Sequence, residues 1–153
     1  MITMRPTEKK LASLLGQKGY KLTSQRRAVL NVIVDSQEHL TPADVHRKVR
    51  RDHPGVGLVT IYRTLEMLSD LGLICRVHRG GKSRSYTLAP SGHHHHLVCS
   101  QCGTVADFID CGLEELEQRL VQEAGFKIEG HLLQFTGRCP DCQQKSEMGG
   151  EKK

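Results

Sequence analysis

Cys99-x-x-Cys102 and Cys139-x-x-Cys142 are two short knuckles, each able to aim a pair of sulfurs at one point. Four thiolates in this pattern suit a closed tetrahedral zinc site. Gly103 after the first knuckle and Pro140 within the second permit the tight turns such a site needs. The gap between them is 36 residues, longer than in a simple zinc ribbon, so a helix and a strand are expected to intervene. A redox role would need one knuckle in a thioredoxin-like setting, and two paired knuckles fit it poorly.

A run of four imidazoles, His93-His94-His95-His96, lies between Gly92 and Leu97. Its internal position and its lead into Leu97-Val98-Cys99 exclude an expression tag. On a strand, neighbouring side chains alternate faces. His93 and His95 therefore point one way and His94 and His96 the other, so one strand is able to serve two metal sites. The competing reading is a solvated surface run of histidines.

The elements needed to position these groups follow from pattern. Thr7 caps a helix to about Leu15, and Thr23 or Ser24 caps a second bearing Val29, Leu30, Val32 and Ile33. Thr41-Pro42-Ala43-Asp44 opens a third, with Val45 and Val49 inward. Residues 58–70 form a fourth, with Leu58, Ile61, Leu65 and Leu68 on one stripe and Gly72 as its stop. Residues 73–78 and 83–88 flank Arg79-Gly80-Gly81-Lys82 as a hairpin. Helices followed by a hairpin are the winged-helix arrangement, a relative of helix-turn-helix. Beyond it, residues 93–99 and 104–109 read as strands, 113–124 as a helix closed by Gly125, and 126–135 as a strand. The fold class is thus α+β. A winged-helix domain over 1–88 is followed by a hinge at 89–92 and a small α/β domain over 93–142. Residues 143–153 are expected to be a disordered tail.

Charge divides along the same line. Residues 1–88 carry 16 basic against 7 acidic side chains, a net +9, whereas 89–153 are net −4. Five of the six cysteines and the whole histidine run lie in the second part. One half is suited to a polyanion and the other to a metal signal, against the plainer reading of a solvated charged face. No apolar run approaches the length of a membrane span, and the N-terminus shows no hydrophobic signal region. The expected location is cytoplasmic, where cysteines are more often metal ligands than disulfides. Neither an HExxH nor an HxE…PCxxC arrangement is present, which argues against a zinc hydrolase and against an enzyme in general.

Five separated segments carry a resemblance: residues 19–27 (GYKLTSQRR), 39–45 (HLTPADV), 59–65 (VTIYRTL), 92–103 (GHHHHLVCSQCG), and His131 with Cys139-x-x-Cys142. In this order, over roughly residues 7–142, they resemble the ferric uptake regulator (Fur) family, in particular its zinc uptake regulator branch. The resemblance implies a homodimeric repressor whose metal-loaded form binds AT-rich double-stranded DNA operators, with no small-molecule substrate beyond metal ions. It assigns Cys99, Cys102, Cys139 and Cys142 to structural Zn²⁺. It assigns His93, His95, Glu114 and His131 to a second site in the dimerisation domain, and His94 and His96 to a regulatory site linking the domains.

The chain departs from the iron-sensing pattern. Where iron-responsive relatives place a Glu nine residues before the last histidine of the strand, this chain has Thr87, and neighbouring Tyr86 and Leu88 supply no carboxylate. Cys75 falls where some zinc sensors supply an Asp, and a thiolate with imidazoles suits zinc better than iron. Cys75 as buried packing is the competing reading. Asp107, His39 and His78 are further candidates, and Cys111 reads as packing or an accidental thiol. For DNA, Thr60, Tyr62 and Arg63 lie off the apolar stripe of the fourth helix, as base or phosphate contacts. Arg26, Arg27, Arg79 and Lys82 are placed to neutralise phosphates, and Lys21 resembles the family's minor-groove residue. The expected protein is a zinc-dependent repressor of metal-uptake genes, with regulatory Zn²⁺ and Fe²⁺ or Mn²⁺ as the alternatives. The alternative functions are an iron-responsive regulator and, outside the family, a zinc-storage or metallochaperone protein.

Overall fold

The computed structural model describes residues 7–89 and 92–148, and the chain divides into two compact units after Ser91. Part of the expected hinge (90 and 91) and the last five residues lie outside the described residues.

The first unit contains α1 (Glu8–Gln17), α2 (Ser24–Asp35), α3 (Pro42–Val49), α4 (Leu58–Asp70), β1 (Ile74–His78) and β2 (Arg84–Leu88). Local chemistry sets the helix starts. The Thr23 side chain accepts from the Arg26 backbone N–H at 3.3 Å. Thr41 and Asp44 form a full capping box: Asp44 N–H donates to Thr41 Oγ1 at 3.2 Å and Thr41 N–H donates to Asp44 Oδ2 at 3.0 Å. Pro42 at the first helical position loses nothing, because its missing N–H would have had no partner there.

Helical periodicity then turns one stripe of each helix inward. Leu11 and Leu15, Val29 and Ile33, Val45 and Val49, and Ile61, Leu65 and Leu68 are all buried in one core. Leu58 was expected on that stripe but is 42% exposed. It lies in the first turn of α4, before the helix reaches the core. β1 and β2 pair antiparallel from Ile74↔Leu88 to His78↔Arg84. Gly80 and Gly81, at φ +102° and +56°, make the reversal, a backbone region that side chains resist. Leu40 exchanges two backbone hydrogen bonds with Tyr86, at 2.8 and 2.7 Å, and so ties the hairpin to the start of α3.

The second unit contains β3 (His95–Cys99), β4 (Val105–Phe108), α5 (Glu114–Ala124), β5 (Gln134–Gly137) and α6 (Pro140–Met148). Its sheet runs β4-β3-β5, with β4 antiparallel and β5 parallel to β3. Gly125 closes α5 at φ +68°. Two expectations are corrected. The strand anticipated over 126–135 is confined to Gln134–Gly137, because only those residues find a partner along β3. The chain is helical through 143–148 instead of a disordered tail. Pro140 and Asp141 favour a helix start, the Gln143 N–H donates to the Cys139 carbonyl at 3.0 Å, and Gln143 Nε2 donates to the Arg138 carbonyl at 2.7 Å.

Apolar burial is unequal. In the second unit only His95, Val98, Cys99 and Cys142 are buried among the described residues, and α5 buries none of its side chains. No helix among the described residues is long and apolar enough to cross a membrane.

Candidate metal centres and nucleic-acid interface

Parallel pairing of β3 with β5 explains how two distant knuckles meet. In a parallel pair both strands leave the sheet at the same end, and Cys99 lies opposite Gly137. Cys102 and Cys139 therefore emerge side by side. Ser100 fastens the arrangement, donating from its N–H (2.7 Å) and hydroxyl (3.1 Å) to the Gly137 carbonyl. The first knuckle turns through Gly103, at φ +74°, whose N–H donates to the Cys99 carbonyl at 2.9 Å.

All four sulfurs lie within 4.8 Å of one another, with Cys102 Sγ 3.6 Å from Cys139 Sγ. Zinc–sulfur bonds of about 2.3 Å in a tetrahedron imply sulfur–sulfur edges of roughly 3.8 Å, so the donor set fits that ion. Electrostatics agree. The backbone N–H groups of Cys102 and Cys139 draw the Cys99 thiol down to about 5. The Thr104 hydroxyl lowers Cys102 as well. The Cys139 thiol and then burial push Cys142 up to about 12, followed by its other thiol neighbours. Four such sulfurs repel one another as anions, and a divalent cation relieves that repulsion.

The histidine run divides as alternation demands. His93 and His95 approach through their Nε2 atoms at 2.6 Å, while His94 and His96 stack edge-on with ring centroids 5.1 Å apart. On the first face, His131 Nε2 lies 3.1 Å from His95 Nε2. His131 Nδ1 donates to Glu117 Oε1 at 2.5 Å, which fixes the tautomer and leaves Nε2 free to act as a ligand. His95 is 3% exposed. Burial, and then the neighbouring imidazoles His93 and His131, hold it below its ordinary value, in the neutral form that ligates.

The fourth donor gathered here is Cys111, whose Sγ lies 3.3 Å from His93 Nε2 and 3.5 Å from His131 Nε2. Its reading as packing or an accidental thiol is corrected: its sulfur sits in the donor group. Glu114 opens α5 and lines the same cavity, yet it is exposed and outside that group. The helix instead turns Glu117, one turn on, toward His131. Sequence reasoning missed Glu117, although Glu114-x-x-Glu117 places two carboxylates on one helix face.

On the second face, β3–β4 register sets His96 opposite Asp107, with His96 Nδ1 2.8 Å from Asp107 Oδ1. The other candidates for this site lie in the first unit. Cys75 is half-buried on β1 opposite Thr87, His39 precedes Leu40, and His78 ends β1.

On α4, Tyr62 is 45% exposed, Arg63 is exposed and Thr60 is half-buried, so these side chains lie off the buried stripe. Lys21 and Lys82 are exposed and Arg79 is half-buried in the hairpin turn. Two expected phosphate ligands have protein partners: Arg27 pairs with Glu8 at 2.5 Å, and Arg26 donates to the Lys21 carbonyl at 2.9 Å.

A winged-helix unit, followed by a unit gathering thiols and imidazoles into separate clusters, defines a metal-dependent DNA-binding regulator. The chain belongs to the ferric uptake regulator family, whose model matches residues 17–136. It is a metal-responsive transcriptional regulator of that family and not an enzyme. A Ferric uptake regulation protein of Bacillus subtilis is 38% identical over 135 residues, covering 86% of this chain and 91% of that protein. The protein of the same name from Campylobacter jejuni is 34% identical over 138 residues and 88% of each chain. The Helicobacter pylori ferric uptake regulator Fur, whose structure shows three functional metal binding sites, superposes with a TM-score of 0.76. Its identity to this chain is 25%, over 90% of this chain and 95% of that one.

Proposed function

We propose that the protein is a zinc-responsive, homodimeric repressor that binds AT-rich operators of metal-uptake genes in the cytoplasm. The observation that carries this reading is the split of one histidine run, leading into β3, into two donor groups beside a four-thiol cluster. In this reading Cys99, Cys102, Cys139 and Cys142 hold a structural zinc that fastens both knuckles. His93, His95 and His131 supply the imidazoles of a second site. His94, His96 and Asp107 belong to the regulatory site, with Cys75 as its thiolate from the DNA-binding unit.

A regulatory ion would favour whichever arrangement of the protein satisfies its ligands together, so occupancy would shift the population toward it. In that arrangement the dimer presents two α4 helices to successive half-sites. Tyr62 and Arg63 then meet base edges and phosphates, and Lys21, Lys82 and Arg79 meet the backbone. Dimerisation is supported by the unburied α5 and by Leu132, Phe126 and Phe135, which lie exposed on the second unit. A storage or chaperone protein would need the same ligands but has no use for Tyr62 and Arg63 on an exposed helix face.

An iron-responsive regulator is the second reading, favoured by the His96–Asp107 pair, since imidazole with carboxylate also suits Fe²⁺ or Mn²⁺. Operator binding titrated with buffered Zn²⁺, Fe²⁺ and Mn²⁺ separates the two. Zinc-responsive binding should begin at the lowest free metal with Zn²⁺, and Cys75→Ala should move it to at least about tenfold higher free zinc. A half-saturation unchanged by Cys75→Ala, together with a lower threshold for Fe²⁺, would establish the iron reading instead.

A further inference from the structure

Beside the imidazoles of His93, His95 and His131 lies a fourth side chain able to ligate, Cys111. Its three imidazoles converge through Nε2, at 2.6 Å between His93 and His95 and 3.1 Å between His95 and His131. Cys111 Sγ completes the set at 3.3 Å from His93 and 3.5 Å from His131. Zinc–nitrogen and zinc–sulfur bonds of about 2.05 and 2.3 Å imply tetrahedral edges of roughly 3.3 Å between nitrogens and 3.6 Å between nitrogen and sulfur. The separations involving the sulfur match that edge closely. The nearest carboxylate on α5, Glu117, is already committed to His131 Nδ1, on the far side of the ring from the donor group. Glu114, exposed at the cavity rim, is not needed to complete four-fold coordination.

We infer that Cys111 is the fourth ligand of this centre, making it a closed three-imidazole, one-thiolate site selective for thiophilic tetrahedral ions. The inference rests on the proposed metal site at these histidines and goes beyond it in naming the donor and its consequence. A carboxylate at this position would leave the site open to Mn²⁺ and Fe²⁺, which favour oxygen ligands and higher coordination. The thiolate favours Zn²⁺ and Co²⁺.

The test uses full-length protein carrying Cys75→Ala, with the four-cysteine cluster filled by Zn²⁺, so that Cys111 is the remaining thiol. Titrated Co²⁺ should produce a near-ultraviolet thiolate-to-cobalt band. Cys111→Ser should abolish that band and weaken Co²⁺ binding at this site on the order of 100-fold or more, exceeding the loss expected from an outer-shell partner. Cys111→His should keep the Co²⁺ stoichiometry without the band, which guards against a variant that merely unfolds, and Glu114→Gln should retain the band. A parent protein without the band, or a Cys111→Ser protein with undiminished Co²⁺ affinity, overturns the assignment of Cys111. His131→Ala distinguishes the underlying reading: unchanged Co²⁺ stoichiometry in that variant removes the imidazole site itself.

Discussion

Among the clustered thiols, Cys99 is drawn down to about 5 and Cys142 is pushed up to about 12, although each lies among the same neighbours. Backbone N–H groups, which the knuckle turns aim at Cys99, lower that thiol, while the neighbouring Cys139 thiol and burial raise Cys142. A bound divalent ion would equalise them, so the cluster's folding energy is largely metal-binding energy. Cys139→Ser is therefore expected to release one zinc per chain and to lower the melting temperature of the second unit, measured by metal content and thermal unfolding. Full zinc retention would remove the structural role. His131 depends on a different device, its Nδ1–H held by Glu117. Glu117→Gln keeps a hydrogen-bonding oxygen but loses the charge that strengthens the bond to the His131 Nδ1–H. Metal affinity at that site should fall about 10- to 100-fold, read by competition with a chromophoric chelator. An unchanged constant would show that the contact is incidental.

Among the elements, α3 shows how local chemistry prepares the DNA-binding unit. Its capping box satisfies backbone donors that the helix itself leaves unpaired. Thr41→Ala should cost about 1 kcal/mol of stability, the usual worth of an N-cap, measured by denaturant unfolding. The Thr41 hydroxyl, chief among several hydrogen bonds, holds the Asp44 carboxyl below its ordinary 3.8. A carboxylate depressed in the folded state contributes stability above its unfolded value and loses it as pH falls through the folded value. Acid unfolding of the first unit should therefore steepen below about pH 4, and Asp44→Asn should flatten that part of the profile. Identical acid limbs in both proteins would show that Asp44 is not the group responsible. α5 is built to another rule, with a sound αL cap at Gly125 but no buried side chain. Its apolar residues are spaced for a partner that its own unit does not supply.

For the whole molecule, that lack of burial separates the two units. The first has a closed core of its own, whereas the second exposes Ile109, Phe126, Leu132 and Phe135. Large apolar side chains left in water are costly and suit a covering partner. If a second copy covers it, Leu120→Glu on α5 should convert dimer to monomer at micromolar concentration, seen by sedimentation velocity. Operator affinity should fall with it, since each half-site would then be bound alone. A dimer that persists in this variant would place the interface elsewhere.

Much of this was legible from residue types and spacing. Thr41-Pro42-Ala43-Asp44 announces a helix start because capping is local, and the stripe of α4 follows from a period of 3.6 residues. The grouping of His93 with His95, and of His94 with His96, is the one alternation predicts, although β3 itself begins only at His95. The two knuckles already signified a tetrathiolate centre before any fold was known. What tertiary structure decided was which distant groups meet. β3 and β5 run parallel, and only that direction delivers both knuckles to one end of the sheet. The rotation of α5 turns Glu117 toward His131, while Glu114 remains exposed at the cavity rim, and the loop before the helix carries Cys111 into the imidazoles. Nothing in the spacing distinguishes Glu114 from Glu117, or a packing thiol from a ligand. The direction in which α5 leaves its preceding loop settles each case, through the Glu117–His131 contact and the approach of Cys111 to the same imidazoles.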